Sequence, residues 1–281
     1  MSAVTDWARQ LAAWQIPATI PQPARSPWVL PREVFIRRAD RQITDPIGAT
    51  HQQARAALTE PGTVLDVGAA AGATSLPLAG RAAVTAVTAI DTDTALLNAY
   101  ATRATNLELP ARCLRAGWPD AAVNTEHHDP TAGLTADVVL VGNVLYNIAD
   151  LPPFIHALTR HARRTVIVEI ADQHPLTDLN PYWRHFHGID RPTGPTVADA
   201  ITALAELGIH PRVHRWSRPP EAEHATWTDL VEVTCRRLCL PPEASADVDT
   251  VLRRSGIDPQ LPPDLGSSGR ELTTLVWDGT A

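Results

Sequence analysis

Short apolar runs recur along the chain, separated by longer segments of mixed polarity. The first of them, residues 64–67, is rich in branched side chains and is too short to be a buried helix. Continuous apolar runs of this length are typical of strands that are covered on both faces of a parallel sheet. The pattern predicts seven strands, at residues 64–67, 84–90, 109–115, 136–142, 165–170, 209–216 and 270–278.

Segments with helical periodicity lie between these runs, and the alternation predicts a doubly wound, Rossmann-like α/β sheet. Two further helices are predicted in residues 218–269, which would form a helical insertion before the last strand. After the first strand, one helix is predicted to start at about Thr74. Further helices are predicted at residues 91–104, 150–161, 196–207, 224–238 and 245–254.

The N-terminal part of the chain shows helical patterns and no strand alternation. Helices are predicted at residues 5–15, 31–42 and 45–58, with a proline-rich crossing segment at 16–31. We therefore interpret residues 1–59 as an N-terminal helical cap. The rest of the chain, residues 60–281, is the predicted main domain.

A small-residue turn, Gly68-Ala69-Ala70-Ala71-Gly72, follows the first strand, and the second strand ends in Asp91. Strand, tight turn, helix, strand and terminal acid together predict a nucleotide-binding βαβ unit. A dinucleotide fold requires glycine at the positions of Ala70 and Ala73, and Asp66 would repel a pyrophosphate. The pattern therefore disfavours NAD and favours an adenosine ligand with a cationic amino group.

The same turn resembles motif I of the class I S-adenosylmethionine (SAM)-dependent methyltransferases, D/E-x-G-x-G-x-G, with Ala70 in place of the central glycine. The resemblance implies that Asp66 attracts the ammonium group of SAM and that Asp91 accepts hydrogen bonds from the ribose. The alternative is a glycine- and alanine-rich turn in an ordinary α/β domain. The SAM-binding residues predicted here are Asp66, Gly68, Ala69, Ala70, Gly72, Asp91 and Thr92.

Two further strand ends contribute candidate residues. After the third strand, Gly117 and Trp118 replace the polar residue that such methyltransferases use for adenine, so adenine is expected to stack on the indole. Asp120 is an alternative adenine contact, and packing is an alternative role for Trp118. After the fourth strand, the resemblance to small-molecule methyltransferases places Asn143 beside the methionine part of SAM and Tyr146 near the acceptor.

Residues 171–196 are predicted to form a long irregular loop at the end of the fifth strand, where α/β folds place their sites. Three interpretations of its histidines stay open. His174 is a candidate general base, His185 and His187 are candidate metal ligands with an acid, or the loop simply packs on itself. No complete metal-ligand set is predicted, and the cysteines, Cys113, Cys235 and Cys239, lack metal-site spacing.

Composition narrows the class of protein. A formal net charge of −7 disfavours a nucleic-acid-binding face. The absence of lysine excludes a lysine base or a lysine Schiff base. The N-terminus lacks a secretory pattern and no run is long enough to span a bilayer, so we expect a cytoplasmic protein without membrane contact. The richness in alanine suggests a bacterial source.

The sequence thus predicts a methyltransferase with SAM as cofactor, S-adenosylhomocysteine (SAH) as product and a small molecule as acceptor. Four residues of the cap, Trp28, Phe35, Arg37 and Arg38, are candidates for a lid over that acceptor, with core packing as the alternative. The insertion at 218–269 would form a substrate roof or a homodimer contact. The rival functions are an RNA methyltransferase, which would normally carry an N-P-P-Y motif, a non-catalytic SAM-binding protein and, less favoured, an NAD-dependent oxidoreductase.

Overall fold

The structure, a computed structural model, describes residues 2–120, 134–266 and 269–281. The strands are β1 (Gly62–Val67), β2 (Val84–Asp91), β3 (Ala111–Arg115), β4 (Ala136–Gly142), β5 (Ala162–Ala171), β6 (Arg212–Ser217) and β7 (Glu271–Asp278). They form one seven-stranded sheet in the order β3-β2-β1-β4-β5-β7-β6. Strand β7 runs antiparallel to both of its neighbours, β5 and β6, whereas the other strand pairs of this sheet are parallel. The predicted seven-stranded Rossmann-like fold is therefore confirmed.

The helices of the described residues lie on both faces of the sheet and above its carboxyl edge. They are α1 (Ala3–Ala12), α2 (Arg32–Thr44), α3 (Ala49–Ala57), α4 (Thr94–Asn106), α5 (Leu151–His161), α6 (Asn180–His187), α7 (Val197–Glu206), α8 (Trp227–Arg237) and α9 (Ser245–Arg254). In the described part of the chain, none is long and apolar enough to cross a bilayer.

Alternate side chains of the central strands build a separate core on each face, as the two-residue period of a strand requires. Leu65 and Val67 of β1 pack into the core that includes Trp7 of α1. Val64, between two such positions, packs into the opposite core with Ala54 of α3. These strands read as continuous apolar runs because both faces are covered.

The predicted N-terminal cap is divided between the two faces of the sheet. Helix α1 lies along α7, and the Trp7 indole donates a hydrogen bond to the carbonyl of Ile148 at 2.8 Å. Helix α3 packs on β5 and β7 on the other side, so its residues line the sheet directly. The division of the chain at residue 60 remains a prediction.

Two local predictions are wrong. No long helix begins at Thr74; a single 3-10 turn, Leu76–Leu78, precedes β2. All three residues of that turn are buried, which does not fit an amphipathic helix, and Pro77 lacks an amide N–H. The loop 171–196 is not wholly irregular, because it contains α6, whose Tyr182 and Trp183 are buried.

The insertion forms a third apolar cluster above the sheet. Helices α8 and α9, both close to their predicted positions, pack together and against α6. Thr226 and Asp229 form a capping box that begins α8. The predicted role of the insertion as a substrate roof or a homodimer contact stays a prediction.

A buried polar group lies beneath the turn that follows β1. The Ser75 hydroxyl donates to Asp66 Oδ2 at 2.5 Å and contacts the Tyr100 hydroxyl at 2.8 Å. The second oxygen of Asp66, Oδ1, is buried and has no hydrogen-bond partner in the described residues. Burial raises the pKa of Asp66 to about 7, against the hydrogen bond from Ser75. This carboxyl therefore weakens the fold when it ionises.

We expect replacement of Asp66 by asparagine to change how stability depends on pH. A raised carboxyl pKa gives stability that is complete below about pH 4 and is lost as pH rises through 7. The free energy of unfolding of Asp66→Asn, relative to wild type, should therefore rise by roughly 4 kcal/mol between pH 4 and pH 8, as an upper limit. Urea unfolding at several pH values measures this difference.

Asp137→Asn is the matched control. Burial alone would raise the pKa of Asp137, but hydrogen bonds from Thr63 and the charges of Arg164 and Arg163 lower it overall. The lowered pKa gives stability that is complete above about pH 4 and is lost only as pH falls below it, so the relative stability of Asp137→Asn should stay nearly constant between pH 4 and pH 8. A pH-independent difference between Asp66→Asn and wild type would contradict the raised pKa of Asp66.

Candidate active site

The carboxyl ends of β1, β2 and β4 meet at one edge of the sheet because the strands are parallel and in register. Val67 of β1 pairs with Ile90 of β2 and with Val141 of β4. The turn after β1, Asp91 at the end of β2 and the residues after Gly142 therefore lie side by side. This juxtaposition brings together the central part of the predicted SAM site.

The turn after β1 is held to Asp91. The amide N–H of Ala70 donates to Asp91 Oδ2 at 2.8 Å, and the amide of Asp93 donates to Oδ1 at 2.9 Å. Both carboxylate oxygens retain further lone pairs, so the side chain can still accept from a ligand's hydroxyl groups. Thr92 is exposed beside it.

The backbone of this turn explains the preference for glycine in the methyltransferase motif that it resembles. Gly68 and Gly72 have φ values of 72° and 98°, and Ala70 has φ 44°. A Cβ on Gly68 would lie 2.5 Å from Val144 Cγ2, so glycine is required there for close approach of β4. Ala70 adopts a left-handed conformation that costs an L-residue roughly 1–2 kcal/mol. The alanine at position 70 therefore has a conformational cost that a glycine would not have.

The candidate adenine residues lie after β3. Trp118 is half-buried, and its indole N–H donates to the carbonyl of Phe154 at 3.3 Å. The edge of its ring meets His161, with ring centroids 5.3 Å apart. Gly117 precedes it and is also half-buried. The contact with α5 fits the packing alternative for Trp118, while adenine stacking stays a prediction.

Asn143 follows β4 in a left-handed conformation, with φ 56°. Its side-chain amide donates to Glu169 Oε1 at 2.6 Å, and Thr50 donates to Glu169 Oε2 at 2.7 Å. Glu169 therefore orients Asn143, a role that the sequence did not indicate because the two partners of Glu169 come from two separate segments. Asn143 Oδ1 is buried without a hydrogen-bond partner among the described residues.

Tyr146 and His174 are brought together, as expected of residues that follow adjacent strands. Their ring centroids are 5.0 Å apart, edge to face. Each is also covered by an indole of the N-terminal segment: Trp7 stacks on Tyr146 at 5.6 Å, and Trp14 stacks on His174 at 4.1 Å. These four rings, Trp7, Tyr146, His174 and Trp14, form what we call the aromatic stack.

The electrostatics of the aromatic stack limit its acid–base chemistry. Burial, together with the charges of Arg237 and Arg191, lowers the pKa of His174 to about 3. Burial also raises the pKa of Tyr146 well above its usual value, and its hydroxyl donates to the carbonyl of Ala171 at 2.7 Å. Both side chains are therefore neutral near pH 7, and His174 is a weak base.

The metal interpretation gains no support. His187 Nε2 lies 2.6 Å from the carbonyl oxygen of Leu238, and His185 is exposed on α6. In the described ranges, which omit 121–133 and 267–268, no group of three or more histidine, cysteine or acidic side chains could hold a metal ion.

The candidate lid residues serve different contacts. Arg37 donates to the carbonyl of Glu223, and Arg38 forms a salt bridge with the Glu223 carboxylate. Phe35 packs beside α4 and the β1 turn, whereas Trp28 is 41% exposed. Arg37 and Arg38 therefore tie α2 to the insertion; no single residue pattern in the sequence could have paired them with residue 223.

Structural comparison found solved methyltransferases with the same fold. The plantazolicin methyltransferase, in complex with SAH, is 11% identical, with a TM-score of 0.50 over 99% of this chain and 98% of that chain. A proposed sarcosine dimethylglycine methyltransferase from Galdieria sulphuraria is 12% identical, with a TM-score of 0.50 over 98% of each chain. A proposed methyltransferase from Bacillus halodurans C-125 is 15% identical, with a TM-score of 0.51 over 83% of this chain and 98% of that chain.

Neither a protein-family model nor a curated protein matches this sequence. At identities of 11–15%, the structural similarity establishes the fold and not the reaction. The chain therefore has the class I methyltransferase fold that its sequence motifs predict.

Proposed function

We propose that this protein is a SAM-dependent methyltransferase that transfers a methyl group to an O, N or C atom of a small molecule. The observation that carries this proposal is the position of Asp91, whose carboxylate is held against the turn after β1 by the Ala70 amide. An acid at this strand end can accept hydrogen bonds from the ribose hydroxyl groups of a ligand. The comparisons support the same reading at the level of the fold.

The buried polar atoms of the site fit the amino-acid end of SAM. Asp66 Oδ1 and Asn143 Oδ1 are buried acceptors without hydrogen-bond partners among the described residues, and they belong to the ends of adjacent strands. An unpaired buried acceptor costs about 1–3 kcal/mol, which a ligand's ammonium group can recover. Asp66, Asn143 and Asp91 would therefore hold SAM, with the backbone of residues 68–72 between them.

SAM, when bound, supplies an activated methyl group on a sulfonium, and its transfer requires in-line alignment with the acceptor atom. Tyr146 and His174 would shape the acceptor side and exclude water from it. Because His174 has a pKa of about 3, we propose that alignment, and not proton abstraction by this histidine, provides most of the catalysis.

The rival RNA methyltransferase would need a basic face. Here Arg38 and Arg41 of α2 are engaged with Glu223 and Glu221 of the insertion, so these cations are drawn inward. With a net charge of −7, small acceptors are favoured over nucleic acid.

The first test is calorimetric titration of the purified protein with SAH, with NAD as the control ligand. Micromolar binding of SAH without binding of NAD is expected. Failure of the purified protein to bind SAH would contradict the proposed function.

Asp91→Ala should weaken SAH binding by about 1.5–3 kcal/mol, because the ribose would lose charge-assisted hydrogen bonds. Asp93→Asn is the matched control, since it removes one charge at the same edge while asparagine still caps α4. Equal SAH affinities for Asp91→Ala and wild type, with both proteins folded, would remove Asp91 from the ribose site.

Binding of SAH should also release protons from Asp66. The carboxyl is about half protonated at pH 7 in the free protein, and an ammonium group beside Oδ1 would ionise it. Titrations in buffers of different ionisation enthalpy should show release of up to about half a proton at pH 7. The release should vanish in Asp66→Asn; identical proton release by that variant would place the ammonium elsewhere.

A further inference from the structure

Arg237, at the end of α8, is a buried cation without a matched partner. Its residue is 8% exposed, and it makes no hydrogen bond or salt bridge within residues 2–120, 134–266 and 269–281. Its Nε atom is buried and unsatisfied. A buried guanidinium in this condition is costly, and that cost calls for a ligand or a functional reason.

The neighbouring acids do not neutralise Arg237. Glu223 is the acid that most raises the pKa of Arg237, but it forms a salt bridge with Arg38 and lies 4.0 Å from Arg218. Its backbone carbonyl accepts a hydrogen bond from Arg37. Asp178 lies across a cavity from Arg237, and burial raises its pKa to about 6. Arg236 and Arg38 add positive charge. The balance around Arg237 therefore favours an incoming anion.

A second cavity joins Arg237 to Arg191. It has a volume of about 10 Å³, enough for one water molecule, and its lining holds two cations and no acid. Arg191 donates through its Nη atoms to the carbonyls of Gln15 and Trp14, but its Nε is buried without a partner. The remaining lining residues are Trp14, Ile16, Pro27, Trp28, Leu176, Leu179 and Trp183.

The lining of this cavity is chiefly aromatic and apolar. The Arg191 guanidinium lies 4.9 Å from the ring centre of Trp183 and 5.7 Å from that of Trp14. These contacts fix the orientation of the guanidinium, and its buried Nε–H, which has no partner among the described residues, is the donor left for a carboxylate oxygen. The walls suit an apolar or aromatic body on the same molecule.

This cavity is next to the proposed acceptor site. Trp14, one of its walls, stacks on His174 at 4.1 Å, and His174 contacts Tyr146. Arg191 lies 5.7 Å from the ring centre of the same Trp14, and Arg237 lines the same cavity. A molecule anchored at the two arginines would thus reach the aromatic stack with its other end.

We propose that Arg237 and Arg191 bind the carboxylate of the methyl acceptor, so that the acceptor class is a monoanionic aromatic or apolar carboxylic acid. This inference rests on the proposed function, since it names the substrate class of the same site. Binding requires the cavity to widen, and Trp28, which is 41% exposed, is the wall residue that can move outward at least cost.

The test uses benzoate as the probe and benzamide as its neutral analogue of similar shape. Each is titrated into the full-length protein with SAH present, and binding is followed by calorimetry and by thermal unfolding. Benzoate should bind and raise the unfolding temperature in a concentration-dependent way, whereas benzamide should bind at least tenfold more weakly. Equal binding of the two would overturn the proposal.

Arg237→Met separates a binding role from a structural one. It should weaken benzoate binding at least tenfold while leaving SAH affinity and the unfolding midpoint in urea unchanged or higher, because an unpaired buried charge is removed. Arg254→Met, an exposed position on α9, removes the same charge and should leave benzoate binding unchanged. A lower unfolding midpoint in Arg237→Met with undiminished benzoate binding would assign Arg237 to the ion-pair network instead.

The same titrations distinguish a failure of this inference from a failure of the proposed methyltransferase function. Wild-type protein that binds SAH but shows no preference for benzoate would overturn the acceptor class alone. Protein that fails to bind SAH would overturn the methyltransferase proposal, whatever its response to benzoate.

Discussion

The register of β1 between β2 and β4 is the constraint on which the candidate site depends. Val67 lies between Ile90 and Val141, so the three strands end at the same level. A slip of one residue would turn the alternate side chains to opposite faces and break both cores at once. The apolar runs that fix the core therefore also bring the β1 turn beside Asp91, and the hydrogen bond from the Ala70 amide then holds the two together.

The polar groups at this edge are arranged at the expense of stability. Asp66 is fully buried with one unpaired oxygen, Ala70 adopts a backbone conformation that favours glycine, and Asn143 does the same after β4. Each feature weakens the unliganded fold and each becomes useful only beside a cationic, hydroxyl-rich ligand. Strained and unsatisfied groups that gather at one place are typical of binding sites. Their grouping at the ends of adjacent strands supports a common ligand.

The sequence predicted the features of the fold that local residue patterns determine. The seven apolar runs specified the strands, and the segment from Gly68 to Asp91 joins two parallel strands as predicted, although without the helix of the expected βαβ unit. The helix expected from Thr74 failed because tertiary burial of Leu76–Leu78 overrode the local pattern. Likewise, α6 was missed because its Tyr182 and Trp183 are buried by helices from another segment.

Residues whose partners are distant in sequence were the least predictable. No motif singled out Glu169, because its bonds to Asn143 and Thr50 arise from packing of β5 beside β4 and under α3. No motif singled out Arg237 either, since basic residues are common near the end of a helix. Its burial depends on the insertion folding back over α6, which no motif near residue 237 indicates.

The cap and the insertion together enclose the aromatic stack from outside the sheet. Arg37 and Arg38 hold residue 223 of the insertion against α2, and Trp7 and Trp14 of the N-terminal segment stack on Tyr146 and His174. These contacts join segments outside the sheet, so they can vary without altering the register that places Asp91. The contacts that hold Arg191 are therefore separate from the contact that holds Asp91. If our two proposals are correct, substitutions at the arginine pair would change the choice of acceptor without changing the ribose contact.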